Sequence, residues 1–151
     1  MNATRLTVLI RAPRERVYRA LLDPSAIARW RVPEGMTSEV HEFDARVGGR
    51  LRVSLTYDAP TETGKTSART DTYHGRFVEL VPSERVVEID EFETVDPKLQ
   101  GEMKSTITLR EVNGDTELTA IHEALPPGLS PEDNETGWRM ALEKLAKLVE
   151  A

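Results

Sequence analysis

The sequence contains no cysteine, which excludes disulfide bonds and thiolate metal sites. No apolar run approaches the ~18 residues that a membrane-spanning helix needs. The first residues, MNATRLTVLIRAPRERV, also lack the long apolar stretch and the cleavage site of a signal peptide. Together these absences predict a cytoplasmic protein with no membrane partner.

Blocks of basic residues are also absent. The chain has 20 Lys and Arg residues against 26 Asp and Glu residues, and the two signs are interspersed. Because nucleic-acid-binding surfaces concentrate positive charge, we expect no nucleic-acid partner. The balance is typical of an ordinary solvated surface, and it leaves a monomer or a weak homodimer open.

The residues that usually carry catalysis or hold metals are sparse. The three histidines, His41, His74 and His122, fall on separate predicted strands and have neither HxH nor HExxH spacing. No GxSxG elbow occurs, and cysteine is missing as a nucleophile. We therefore expect no metal, no cofactor and no catalytic residue that a motif could identify.

What the sequence does contain predicts one domain over residues 1–151. Leu6, Val8 and Ile10 alternate with polar residues, as in a half-buried strand. Two short helices should follow, the second capped by Ser25. From Glu39 to Ala124 strand patterns alternate with turn signals, including the hairpin pair Asn113-Gly114.

The polar stretch 58–71 is predicted to be a mobile, dispensable loop between two of these strands. The chain should end in a helix from about Pro131 to Glu150, capped by Ser130. Trp138, Leu142, Leu145 and Val149 form one apolar stripe on it. The fold class is therefore α+β, with a curved antiparallel sheet of about six or seven strands wrapped around a long C-terminal helix.

Gly137 lies inside this helix, directly before Trp138. A helical glycine costs roughly 1 kcal/mol relative to alanine, so a compensating role is expected. We expect that a methyl group here would push the helix off the sheet or obstruct a pocket between them. On that interpretation, replacing Gly137 by alanine should fail to stabilise the protein.

Five segments, taken in order, resemble one family. They are APRERVYRALLDPSAIARW, FDARVGGRLRV, GRFVELVPSERVVEI, TELTAIHEALP and GWRMALEKLAKLV. The chain is similar to the activator of heat shock protein 90 ATPase homologues (Aha-type), within the START/Bet v-like (SRPBCC) helix-grip superfamily. The resemblance implies a sheet that grips the terminal helix around an internal cavity.

The resemblance leaves three functions open. The first is a binding domain for a small hydrophobic or amphipathic ligand held in the cavity. The second is a chaperone-interacting module, with the stress-response role that the family name implies. ATPase-stimulating members carry an additional N-terminal domain, so a single domain counts against full chaperone activation. The third, ranked below the others, is a cyclase- or hydrolase-type enzyme, for which Glu91 and His122 would be the pair to test.

Two groups of candidate residues follow. Asp44, Arg46, Gly48 and Gly49 are expected to shape a turn or bulge between strands, with Asp44 satisfying backbone donors, rather than to bind an anion. His122 is expected to be a hydrogen-bonded sheet residue rather than a general base. Two interpretations of Glu91 are equally compatible with the pattern: an inward-facing carboxylate with a raised pKa, and a solvent-exposed residue at the end of the strand. The residues that we expect to line the cavity are Trp30, Tyr57, Phe77, Glu91, His122, Trp138 and Leu142.

Overall fold

The computed structural model describes residues 3–58 and 70–150. Most of the polar stretch 58–71, including residues 59–69, lies outside these ranges, so the predicted loop is not tested there. At its far end Thr70 already begins a strand. The elements, in chain order, are β1 Thr4–Ile10, α1 Arg14–Leu21, α2 Pro24–Trp30, β2 Met36–Phe43, β3 Arg50–Tyr57, β4 Thr70–Val81, β5 Arg85–Phe92, β6 Met103–Val112, β7 Asp115–Glu123 and α3 Pro131–Glu150.

The seven strands form one antiparallel sheet in the order β1-β7-β6-β5-β4-β3-β2. The sheet curls into a half-barrel whose concave face packs on α3, so the predicted α+β helix-grip architecture is confirmed. None of the described helices is both long and apolar enough to cross a membrane.

Helix α3 begins and ends where the sequence pattern predicted. The Ser130 hydroxyl accepts a hydrogen bond from the Asp133 amide at 3.3 Å, as expected of an N-cap. The cap of α2 differs from the prediction. Asp23, not Ser25, is the N-cap, and its carboxylate accepts the Ser25 amide at 2.9 Å. Pro24 then occupies the first helical position, where its missing N–H costs nothing.

The turn between β2 and β3 contains the predicted structural motif. The Asp44 carbonyl accepts the Arg46 amide at 2.8 Å, and the Arg46 carbonyl accepts the Gly49 amide at 2.8 Å. A Cβ on Gly49 would collide with the Asp44 carbonyl oxygen, so only glycine fits there. The Asp44 carboxylate itself accepts the Arg46 Nε–H at 2.7 Å. In the described contacts its side-chain partner is therefore this guanidinium rather than the backbone donors expected.

The main core lies between the C-terminal half of α3 and one half of the concave face of the sheet. Leu142 and Leu145 are fully buried in it, and Val149 is buried beside them. On the sheet, Leu6, Ala120, Ile107 and Val86 stand opposite one another on four adjacent strands and form an apolar row under the helix. The apolar stripe of α3 therefore faces the sheet with the predicted phase.

We predict that Leu145→Ala lowers the free energy of unfolding by roughly 2–5 kcal/mol, the usual range for a buried leucine. Denaturant titration measures this loss directly. Lys147→Ala on the exposed side of the same helix is the control and should change stability by less than about 0.5 kcal/mol. Equal effects of the two substitutions would contradict the burial of Leu145.

Candidate functional site

A cavity of about 430 Å³ lies between the N-terminal half of α3 and the half of the concave face that the core leaves uncovered. Ligand sites in proteins commonly have volumes of roughly 300–1,000 Å³, so the space suits a small organic molecule. Most of its walls are apolar, and they include Met36, Leu55, Phe92, Met103, Leu129 and Met140.

The cavity adjoins a polar row on the sheet. Thr4, His122, Ser105 and Glu88 stand opposite one another on β1, β7, β6 and β5, and all four are buried. This row lies two residues along each strand from the apolar row of the core. Because alternate residues of a strand share a face, both rows belong to the concave surface. The surface therefore changes from apolar to polar where the core ends and the cavity begins.

Arg31, directly after α2, forms a buried ion cluster with this row. Its two terminal nitrogens donate to the two carboxylate oxygens of Glu88 at 3.0 and 2.9 Å, and one also donates to Asp90 Oδ2 at 3.3 Å. The guanidinium carbon lies 5.2 Å from the ring centroid of Tyr73 and 5.0 Å from that of Trp138. A bidentate pair combined with aromatic faces is the environment in which arginine tolerates burial.

The two carboxyl groups of the cluster have opposite pKa shifts. Burial raises the pKa of Asp90 well above its ordinary value, and the neighbouring Glu88 charge raises it further. Burial also acts against the charge of Glu88, but the Arg31 guanidinium outweighs it and lowers the pKa of Glu88. The opposite shifts make Glu88 the carboxylate whose charge balances that of the Arg31 guanidinium. Gly75, opposite Asp90 on β4, provides the room, because a Cβ there would collide with the Asp90 carboxyl group.

His122 is held by hydrogen bonds and by an aromatic contact. Its Nδ1 lies 3.3 Å from Thr4 Oγ1 and 3.4 Å from Asn134 Nδ2. The imidazole centroid lies 4.4 Å from the Trp138 ring, at an interplanar angle of 35°. Burial, together with the Arg31 charge, lowers the pKa of His122 to about 4. His122 is therefore a neutral hydrogen-bonding residue at pH 7.

Three groups that line the cavity hold a buried polar atom without a hydrogen-bond partner. They are the Tyr73 hydroxyl, Asp90 Oδ1 and His122 Nε2. Within residues 3–58 and 70–150 only two other buried side-chain atoms lack a partner, Arg14 Nε and Ser38 Oγ. Unsatisfied polar atoms are rare in folded proteins, so their concentration at one cavity marks a place prepared for a hydrogen-bonding group.

Of the seven residues that we expected to line the cavity, three line it, three are buried in the core, and Glu91 lies on the other face of the sheet. Tyr57, His122 and Trp138 line it. Trp30, Phe77 and Leu142 are instead buried in the core. Trp30 donates its Nε1–H to the Ala20 carbonyl at 3.0 Å, and its ring lies 6.2 Å from Trp138, behind the cavity wall.

Glu91 does not face the cavity. It lies on the opposite side of β5, with a carboxylate oxygen 3.4 Å from His74 Nε2, and it is part-exposed. The inward-facing alternative is wrong, because Glu88 and Asp90 occupy the concave face of this strand. A Glu91–His122 acid–base pair is excluded for the same reason, since the two side chains are on opposite faces of the sheet.

Sequence reasoning did not assign Arg31, Tyr73, Glu88 or Asp90 to the cavity. The signal for the carboxylates was the alternation in RVVEIDEF, which places Glu88 and Asp90 on one face with Val86 and Phe92. The apolar Val87 and Ile89 favoured the other face, and no sequence pattern disclosed that Arg31 compensates the buried charge. Residues 3–58 and 70–150 contain no group of three or more His, Asp or Glu side chains arranged to hold a metal ion.

The structure corrects the expectation for Gly137. A Cβ there would lie 3.7 Å from Pro33 Cγ, which is an ordinary van der Waals contact. A methyl group would therefore not push the helix off the sheet. Gly137 and Pro33 both line the cavity, so a larger side chain at this position would extend into its mouth.

We predict that Gly137→Ala stabilises the protein by up to ~1 kcal/mol, because the methyl group fits and alanine favours the helix. Urea titration checks the sign. Gly49→Ala is the contrasting control and should destabilise, since its methyl group meets the Asp44 carbonyl oxygen. A loss of stability in Gly137→Ala would show that the helix tolerates no side chain at this point.

The pKa of His122 predicts a dependence of stability on pH. The unfolded imidazole binds its proton near the ordinary value of 6.5, whereas the folded one binds it only near 4. The stability that neutral His122 contributes is therefore complete above pH 6.5 and is lost as the pH falls towards 4, up to about 3 kcal/mol. The free energy of unfolding of the natural chain minus that of His122→Gln should fall across this window. Parallel curves for the two proteins would contradict the shift.

Comparison with known proteins agrees with this architecture. Residues 11–150 match the model of the family described as Activator of Hsp90 ATPase homolog 1-like protein. The crystal structure of protein CV1439 from Chromobacterium violaceum is 41% identical, with a TM-score of 0.89 over 99% of this chain and 98% of that one.

Two further structures share the fold at lower identity. A Rhodobacter sphaeroides protein is 21% identical, with a TM-score of 0.81 over 99% of this chain and 92% of that one. A Staphylococcus epidermidis protein is also 21% identical, with a TM-score of 0.77 over 99% and 90% of the two chains. No curated protein matches the sequence. On the family match and the Chromobacterium relative, the chain belongs to the Activator of Hsp90 ATPase homolog 1-like family.

Proposed function

We propose that this protein binds a small apolar or amphipathic molecule in the cavity between α3 and the sheet. The observation that carries the proposal is the combination of apolar walls with three unpartnered polar atoms in a space of about 430 Å³. The cytoplasmic location and the monomeric or weakly dimeric state expected from the sequence are part of this proposal.

A cavity that is only a packing defect is expected to be lined by apolar groups and not by unpartnered polar atoms. Each buried polar group without a partner costs about 1–3 kcal/mol, and an apolar replacement would avoid that cost. A bound ligand can supply the missing hydrogen bonds while its apolar part contacts the walls. Binding therefore explains both the volume and the unsatisfied groups.

No catalytic residue is assigned. Burial raises the pKa of the Asp90 carboxyl group above its ordinary value and lowers the pKa of His122 to about 4, so both shifts favour the uncharged form. Both groups can therefore form hydrogen bonds to an uncharged molecule without transferring a proton. We propose binding rather than turnover on this basis.

The proposal is tested with an uncharged naphthalene dye whose emission rises in apolar surroundings. We expect saturable binding to the natural protein. Gly137→Leu should weaken it at least tenfold, because the new side chain starts at the cavity mouth beside Pro33. Arg139→Leu is the matched control: it places the same side chain at an exposed helical position that does not line the cavity, and it should leave dye affinity unchanged. Equal affinity of both variants would mean that the dye binds elsewhere.

Action on a chaperone is the second candidate, and the family's description is the observation that favours it. The test is the ATPase rate of an Hsp90-type chaperone with and without this protein. If Gly137→Leu stimulates the ATPase rate as strongly as the natural protein does, the surface that contacts the chaperone is separate from the cavity. A lack of stimulation at saturating protein would leave ligand binding as the function.

A further inference from the structure

The three unpartnered atoms of the cavity define what kind of polar group it can accept. Tyr73, Asp90 and His122 are 7%, 7% and 5% exposed, so water reaches them poorly. All three line the same cavity, and each would gain a hydrogen bond from a suitably placed ligand atom. The question is whether that group is anionic, cationic or uncharged.

The hydrogen bonds around His122 fix its tautomer. The Asn134 amide nitrogen can only donate, and it lies 3.0 Å from Thr4 Oγ1 and 3.4 Å from His122 Nδ1. Nδ1 therefore accepts, and in a neutral imidazole the proton must then be on Nε2. The unpartnered Nε2 is consequently a donor, and the Tyr73 hydroxyl is the second group that can donate.

The charges of the cavity disfavour an anionic ligand. The only guanidinium that lines it in the described part of the chain is that of Arg31, which already forms a bidentate pair with Glu88. Asp71 is buried in the wall, and the exposed side chains of Glu34 and Asp133 at the mouth add two negative charges. An incoming carboxylate or phosphate would find no free cation in the interior.

A cationic ligand is disfavoured for a different reason. One face of the Tyr73 ring and one face of the Trp138 ring already contact the Arg31 guanidinium. An ammonium group has only donors, and it cannot accept the hydrogen bond offered by His122 Nε2. Its charge would also lie in the same cavity as that of Arg31.

We propose that the cavity selects uncharged amphipathic molecules that carry a carbonyl group, whose oxygen accepts hydrogen bonds from Tyr73 and His122. The apolar body of the molecule lies along the walls formed by Phe92, Met103 and Met140. This inference rests on the proposed binding function and adds the chemical class of the ligand.

Four naphthalene derivatives with the same ring system test the inference by displacement of the uncharged dye at pH 7. They are 2-acetylnaphthalene, 2-isopropenylnaphthalene, 2-naphthoate and 2-naphthylmethylamine. The ketone should bind at least roughly tenfold more tightly than the nearly isosteric hydrocarbon, since each satisfied donor is worth severalfold in affinity. The carboxylate and the amine should bind more weakly than the ketone.

Tyr73→Phe provides the matched variant, because it removes only the unpartnered hydroxyl. It should lower ketone affinity roughly five- to tenfold and leave hydrocarbon affinity unchanged. Its melting temperature should not fall, since the lost oxygen has no partner to leave behind. Tyr18→Phe is the control: this tyrosine is on α1 and does not line the cavity, and the substitution should affect neither compound. His122→Gln should also reduce the preference for the ketone over the hydrocarbon.

The outcomes separate the inference from the function on which it rests. Equal binding of ketone and hydrocarbon, or tighter binding of the carboxylate or the amine, overturns the inference while ligand binding stands. An unchanged ketone preference in Tyr73→Phe likewise overturns the role of its hydroxyl. If the dye and all four compounds fail to bind, the proposed function fails and the inference fails with it.

Discussion

The buried guanidinium of Arg31 is the interaction on which the candidate site depends. Breaking a buried pair by removal of one partner typically costs roughly 3–5 kcal/mol, because the remaining charge is left uncompensated. Here the bidentate pair with Glu88 connects the residue directly after α2 to strand β5. The same cation contacts Tyr73 and Trp138, keeps Glu88 ionised and helps to keep His122 neutral. One side chain therefore sets the position or the protonation state of most polar groups around the cavity.

A second constraint is the change of polarity between two neighbouring rows of the concave face. The row through Leu6 and Ile107 packs against the C-terminal half of α3. The adjacent row through Thr4 and His122 is also buried but is polar, so the helix cannot close over it with apolar contacts alone. Core and cavity thus use the same strands and the same helix. The fold provides this frame but does not dictate the residues of the polar row, so the fold alone does not specify a function.

The sequence predicted the frame well, because its elements follow from local periodicity. Alternation in β1 and a 3.6-residue stripe on α3 are backbone-level signals that need no knowledge of partners. It predicted individual cavity residues less well. Trp30, Phe77 and Leu142 are apolar and inward-facing as expected, but their faces meet the core rather than the cavity. Periodicity reports which face of an element is buried, and it does not report how far along the element the packing is complete.

By itself, the sequence determined the order of the elements, the antiparallel sheet, the extent of α3 and the identity of the family. Only the tertiary structure decided which carboxylates are inside. Glu88 and Asp90 lie 57 and 59 residues from Arg31 in the chain, and their burial is stable only because the fold brings that cation to them. The space beside Gly137 was likewise decided by Pro33 from a distant segment. Interactions between side chains far apart in sequence leave no periodic signature, so the chemistry of the cavity emerges only when the chain is folded.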